Sequence, residues 1–229
     1  MRITEGNIRP LRGLKILLPT GLRPFTKSLL AKIGIPQFKY SEELDYWRQR
    51  FKNGQWILED YYQARLLEIA GETDKNFVAD KVVADFGCGP RGSLCWATEA
   101  RSRIGLDVLG IKYSEFDIAD QNMIYVVCSE REIPLPTKYV DVLFTMNSLD
   151  HASHLKAICK EFLRILKPGG ILIGSFNLHE QGTFSEPQTL TEAKLDRLLL
   201  HAFAPVRRKL IKNQWGAAAE ALWFRGVKL

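Results

Sequence analysis

Asp85 and Asp107 are the residues best placed for chemistry, because each closes a short apolar run of strand type and the first run leads directly into a glycine-rich turn. The stretch Val82-Val83-Ala84-Asp85-Phe86 continues as Gly87-Cys88-Gly89-Pro90-Arg91-Gly92. Glycines at 87, 89 and 92 fit the G-x-G-x-x-G spacing, in which absent side chains let the main chain turn tightly and approach a ligand. By itself that spacing arises often by chance. Its weight comes from Arg103-Ile104-Gly105-Leu106-Asp107, a second run that ends in an acid twenty residues after Gly87, where a ribose-binding carboxylate belongs. Two strand ends thus address one nucleoside-like ligand.

The elements that hold these residues follow from periodicity. Helical spacing runs from Ser41 to about Ala70, through Leu44, Trp47 and Phe51 and then Leu58, Tyr62, Leu66 and Ile69, with Asn53-Gly54 between. Two helices therefore precede the first strand. Tyr46, Trp47, Trp56, Tyr61 and Tyr62 read first as packing residues, although a lid over a cofactor crevice uses the same types. Further strands are expected over 123–127, 140–145 and 171–176. Between the last two, Leu155, Ile158, Cys159, Phe162, Ile165 and Leu166 mark an amphipathic helix stopped by Lys167-Pro168-Gly169-Gly170. Thr189-x-x-Glu192 reads as a capping box for another helix. Strand candidates at 206–211 and 221–227, separated by a turn at 213–216, suggest an edge hairpin. The expected fold is α/β: a Rossmann-like seven-stranded, mostly parallel sheet with an antiparallel C-terminal hairpin and an N-terminal helical extension. Residues 1–80 are expected to form a basic lead and helical cap, and 81–229 the core domain.

Composition narrows the function classes. The 229 residues carry a net charge of +6, and the imbalance is concentrated in residues 1–40, where eight basic residues face Glu5 alone. That lead also carries many leucines and isoleucines, so it is read first as a helical segment laid over the sheet domain with its basic face in water. Weak contact with an acidic partner, an acidic substrate or an anionic membrane is the functional alternative. The neutral body, without a base-flipping motif, points away from nucleic acid. No run reaches membrane-spanning length and no signal-peptide pattern opens the chain, so a cytoplasmic location is expected. The four cysteines show no ligand spacing with the four histidines, so neither a zinc site nor a disulfide framework is expected. The oligomeric state is not legible.

Residues 81–229 resemble class I S-adenosylmethionine-dependent methyltransferases. The resemblance rests on Asp85-x-Gly87-x-Gly89, Asp107, Ile133-Pro134-Leu135, Val140-Asp141-Val142 and Leu166-Lys167-Pro168-Gly169-Gly170, in that order. Narrower similarity to a bacterial type 11-like subgroup rests on Gly87 to Leu94, Asn147 to His151 and Glu186 to Gln188. The resemblance implies S-adenosylmethionine as cofactor, with Asp85 holding its amino group, Asp107 both ribose hydroxyls, and Gly87, Cys88, Gly89, Ser129 and Asn147 completing the site. Ser129 stands where the family often has an acid for the adenine amino group, with Glu130 next to it read as surface. A helix following the glycine turn is expected to face the methionine carboxylate with its N-terminus.

Methyl transfer from a sulfonium is an in-line displacement with a neutral leaving group, so alignment and exclusion of water are the main demands. A hydroxyl acceptor also needs a base. The resemblance names no definite substrate; the expected acceptor is a small molecule or glycan, methylated at oxygen. His151, after the fourth strand, and His179 with Glu186, after the fifth, stand where open α/β sheets bind ligands and are expected to converge. Asp150 reads as the cap of the helix beginning near Ser153. Two other classes stay open at this point: a nicotinamide- or flavin-dependent oxidoreductase, which the glycine spacing and Asp107 also fit, and a non-catalytic nucleoside-binding protein.

Overall fold

The computed structural model describes residues 36–54, 59–116, 118–178, 186–212 and 220–229. Pro36–Leu229 form one compact unit. Among the described residues, the helices α1 (Pro36–Lys52) and α2 (Glu59–Ala70) precede the strands β1 (Val82–Phe86), β2 (Ser102–Asp107), β3 (Ile124–Val127) and β4 (Val140–Met146). Helix α3 (Leu155–Ile165) runs into β5 (Leu166–Leu178), and α4 (Glu192–Leu198) precedes β6 (Phe203–Ile211) and β7 (Glu220–Lys228). The seven strands make one sheet in the order β3-β2-β1-β4-β5-β7-β6. Every neighbouring pair from β3 to β5 is parallel, whereas β7 is antiparallel to both β5 and β6. This is the sheet the strand pattern implies.

The strand sequences explain the layering. All five residues of β1 are buried, as expected of a central parallel strand covered on both faces. Val82, Ala84 and Phe86 join the layer that contains Ile158 and Phe162 of α3, where the Phe86 and Phe162 rings meet edge to face at 5.0 Å. Val83 instead joins Leu66 and Ile69 of α2 with Val142, Phe144 and Ile173. Side chains that alternate across the strand thus divide one strand between two cores. Asp141 fastens the start of β1, since one carboxylate oxygen accepts the Val82 N–H at 2.8 Å and the other the Lys167 ammonium at 2.6 Å.

Four local expectations are corrected. Residues 87–101 form turns, with no helix between β1 and β2. Gly89 and Gly92 take positive φ on either side of Pro90, which disfavours helix at the residue before it; the chain then closes through the buried Trp96, whose indole N–H donates to the Ser93 carbonyl at 2.9 Å. Helix α4 is capped by Thr191, whose side chain accepts the Lys194 N–H, rather than by Thr189. Helix α3 begins at Leu155 with no side-chain cap, so Asp150 does not cap it. Strand β5 starts at Leu166, which pairs with Val140 ahead of a register shift, so the Lys-Pro-Gly-Gly segment is absorbed into the strand.

Candidate cofactor and acceptor site

The sheet order reverses between β1 and β4, and a crevice of about 760 Å³ opens there, lined by Asp85 to Cys88, Asp107 and Asn147 among others. Open parallel sheets bind ligands outside the carboxyl ends of their strands at such a point. Two contacts knit its floor. The Ser148 hydroxyl donates to the Phe86 carbonyl at 2.9 Å, and Gly87 has φ +72° with Ser148 packed where a Cβ would stand, 2.3 Å from the Ser148 Cβ. A side chain at 87 would push the loop after β4 away from the turn.

Asp85 is buried, and its Oδ2 accepts the Ser93 hydroxyl while Oδ1 has no partner among the described residues. Burial pushes its carboxyl up to about 7, opposed by the Ser93 bond and reinforced by Asp107. An unpartnered buried acceptor is costly unless a ligand supplies a donor, and an ammonium is the donor that would favour the charged form. Asp107, also buried, accepts the Leu109 N–H at 2.9 Å on Oδ1 and the Gly89 N–H at 3.1 Å on Oδ2. Beyond these bonds and the neighbouring Tyr113 hydroxyl, the carboxylate keeps acceptor capacity for ribose hydroxyls. Burial raises the Asp107 pKa against these two bonds. The residues present therefore fit S-adenosylmethionine at its amino group and its ribose. Cys88 and Asn147 line the same crevice, Cys88 as a buried thiol held well above its ordinary pKa by burial.

Ser129 is absent from the lining of this crevice. Its hydroxyl accepts the Arg131 and Glu132 N–H groups at 3.1 and 2.9 Å, closing an exposed turn. Glu130, expected at the surface, lines the crevice instead, with a side chain 11% exposed. It accepts the Ser153 hydroxyl at 2.9 Å and pairs with Lys39 at 3.0 Å, and Lys39 also donates to the His151 carbonyl. These bonds draw its pKa below the usual value despite its burial.

Lys39 belongs to α1, which covers the crevice with Lys39, Glu43, Trp47 and Arg50. Their spacing of four, four and three residues puts them on one helix face. Trp47 lies over the turn, where a Cβ on Gly89 would come within 2.9 Å of its ring. Glu43 is pushed up to about 7 by burial and by the Asp107 charge. Sequence reasoning noted the aromatics of this region as a lid type but missed Glu43 and Lys39. The signal was there in the one-face spacing of their charges. Trp56 lies outside the described residues.

On the acceptor side, His151 and Glu186 both line the crevice, and His151 Nε2 stands 3.9 Å from Glu186 Oε1. Asp150 is fully buried, and its main-chain oxygen accepts the Gln188 N–H at 3.1 Å, tying the loop after β4 to the segment after β5. Ligand atoms of Asp150, His151 and Glu186 lie within 4.8 Å of one another, a spacing that can hold a metal ion. His179 lies outside the described residues.

Residues 84–174 match the family of methyltransferase domains. Residues 84–174 thus carry a methyltransferase domain, and the described chain has the fold of S-adenosylmethionine-dependent methyltransferases. A malonyl-[acyl-carrier protein] O-methyltransferase of Yersinia pestis is 32% identical over 121 residues, which cover 51% of this chain and 39% of that protein. The chain thus spans less than half the length of the curated relatives it matches. Among solved structures, a chain of the complex between the Haloferax volcanii Trm112 methyltransferase activator and a methyltransferase has a TM-score of 0.60 at 16% identity, covering 82% of this chain and 96% of that one. The geranyl diphosphate C-methyltransferase of Streptomyces coelicolor has a TM-score of 0.56 at 15% identity, covering 75% and 80%. At such identities these likenesses establish the fold. With the family match they displace the oxidoreductase reading of the glycine turn.

Proposed function

We propose that this protein transfers the methyl group of S-adenosylmethionine to an oxygen of a small-molecule or glycan acceptor, with His151 as the base and Glu186 orienting it. The observation that carries the reading is that the bare Asp85 oxygen and the His151–Glu186 pair open on one crevice. The bound cofactor supplies an electrophilic methyl on a sulfonium. Asp85 fixes the amino-acid end and Asp107 the ribose, so the sulfonium is aligned by groups at the ends of two rigid strands. Helix α1 excludes water above them, which strengthens each charge interaction inside.

His151 follows β4, and its carbonyl is held by Lys39, which limits the freedom of the loop that presents the ring. Imidazole is the side chain whose ordinary pKa allows proton transfer near neutrality. Glu186, 3.9 Å away, can hold the ring in the orientation that receives the acceptor proton. A crevice of about 760 Å³ is within the usual size of small-molecule sites. The acceptors of related proteins differ, a carrier-bound malonyl group in one name and geranyl diphosphate in another, so the acceptor class rests on the His151–Glu186 pair.

Methyl incorporation from labelled S-adenosylmethionine into a panel of glycosides and hydroxylated acids tests the proposal. On the best acceptor, His151→Ala should lower the rate by roughly 10²–10⁴ while S-adenosylhomocysteine affinity holds. Near-normal turnover in the variant would remove the base and leave positioning alone to drive transfer.

A further inference from the structure

A second cavity stands beside the acceptor end of the crevice. Its volume is about 570 Å³, and Arg131, Lys156, Lys160 and Lys194 line it together with Ser153 and Gln188. No carboxylate is found among the described residues of this lining. Four cations thus share one concave surface in a body that is close to neutral, and a cleft lined by one sign of charge concentrates the opposite ion.

The two cavities share their walls. Glu130, Ala152 and Ile158 line the crevice, and Arg131, Ser153 and Ala157, each one residue away, line the second cavity. Gln188 ties this partition together, its main-chain N–H donating to the Asp150 carbonyl at 3.1 Å and its side-chain amide to the Ser153 carbonyl at 3.3 Å. Ser153 is two residues from His151, so their Cα atoms are no more than about 7 Å apart. A molecule little longer than one sugar residue can therefore reach from His151 into the second cavity.

The cations differ in how they are held. Lys194 is half-buried, and its ammonium donates to Gln188 Oε1 at 3.2 Å and to the Thr189 carbonyl at 2.9 Å, which fixes it and leaves its third N–H. Arg131, Lys156 and Lys160 are exposed, and none of them pairs with a carboxylate among the described residues. The volume is that of a small-molecule site. A phosphate, with nearly two charges spread over three oxygens, can use several cations at once.

We propose that this cavity is an anion subsite for the acceptor: the molecule methylated beside His151 carries a phosphate or diphosphate group, held by Lys194 together with Lys156, Lys160 and Arg131. This rests on the reading of the crevice as the place of methyl transfer, and it narrows the acceptor to a phosphorylated small molecule or sugar.

Pyrophosphate titrated calorimetrically into the full chain probes the cavity without cofactor or acceptor. Wild type should bind it with a Kd of roughly 1 mM or tighter. Lys156→Glu combined with Lys160→Glu should weaken it at least about tenfold, and Lys194→Gln severalfold, whereas the same charge change at the exposed Lys112 and Lys209 should leave it within about twofold. S-adenosylhomocysteine affinity should hold in every variant. In methylation assays on wild type, the phosphorylated member of a matched acceptor pair should have a KM lower by about tenfold or more, and the Lys156→Glu, Lys160→Glu variant should lose that preference. Absence of pyrophosphate binding in wild type, an equal loss in the Lys112 and Lys209 control, or equal KM values for both members of the pair would overturn the subsite. Displacement of pyrophosphate by polyglutamate but not by a sugar phosphate would overturn it in favour of an acidic protein partner. Methylation of no oxygen acceptor would strike the proposed function, and the pyrophosphate titration would still decide the cavity.

Discussion

Lowering the pH should release the cofactor through Asp85. Its carboxyl is buried, bonded on one oxygen to Ser93 and bare on the other, and titrates at about 7. Only the carboxylate pairs with an ammonium. For a group with that pKa the ionised fraction falls from about nine-tenths at pH 8 to about one-tenth at pH 6, so S-adenosylhomocysteine should bind about tenfold more weakly at pH 6, some 1.4 kcal/mol. Asp85→Asn should bind it weakly at both values, losing roughly 1.5–3 kcal/mol at pH 8, with the pH dependence flattened. Because Glu43 also titrates at about 7 beside Asp107, 5′-methylthioadenosine serves as the control, reporting the ribose side without the amino-acid head. The sign for stability is opposite. A carboxyl raised on folding keeps a proton that the unfolded chain releases, so it destabilises the free protein above pH 7 and ceases to do so as pH falls toward 4. Urea unfolding without ligand should therefore show Asp85→Asn more stable than wild type at pH 8, the gap closing toward pH 5. Isothermal titrations that give the same pH dependence in wild type and Asp85→Asn would refute the assignment of the amino group to Asp85.

Gly87→Ala should destabilise the fold by more than the roughly 1–2 kcal/mol of a left-handed alanine, because its Cβ would also stand 2.3 Å from the Ser148 Cβ; a urea midpoint within error of wild type would contradict the packing. Phe162→Ala, at a fully buried ring set against Phe86, should cost about 3–5 kcal/mol and act on stability rather than on cofactor affinity per folded molecule, as paired unfolding and binding measurements would show.

Much of the fold is legible because parallel strands buried on both faces leave continuous apolar runs. Val82–Phe86, Val140–Met146 and the helix from Leu155 stand out for that reason, and β7 and β6 are marked by the break at 213–216. The failures share a physical cause. Thr189 and Asp150 have the right chemistry for caps, yet Thr191 takes the Lys194 N–H and Asp150 is drawn into the loop junction. Spacing names the residues able to cap, and tertiary contacts choose among them. The missing helix after Gly89 was readable from Pro90 and Gly92, whose backbone demands conflict with a helix start there. Asp85, Asp107, His151 and Glu186 line one crevice, as residues at strand ends that share one edge of such a sheet can. The Ser129 hydroxyl instead closes its own turn. Glu43 and Lys39 carry no motif, and their places at the crevice depend on how α1 lies over it.

The central claim is that Gly87, Gly89 and Asp107 form the nucleoside half of an S-adenosylmethionine site, and Asp107→Ala measures it most directly. Calorimetry with S-adenosylhomocysteine should give one site per wild-type chain. In Asp107→Ala, the loss of two charge-assisted bonds to the ribose hydroxyls should remove roughly 1.5–3 kcal/mol for each bond. Unchanged affinity in Asp107→Ala, or a wild type that binds NADH in preference to S-adenosylhomocysteine, would contradict the account.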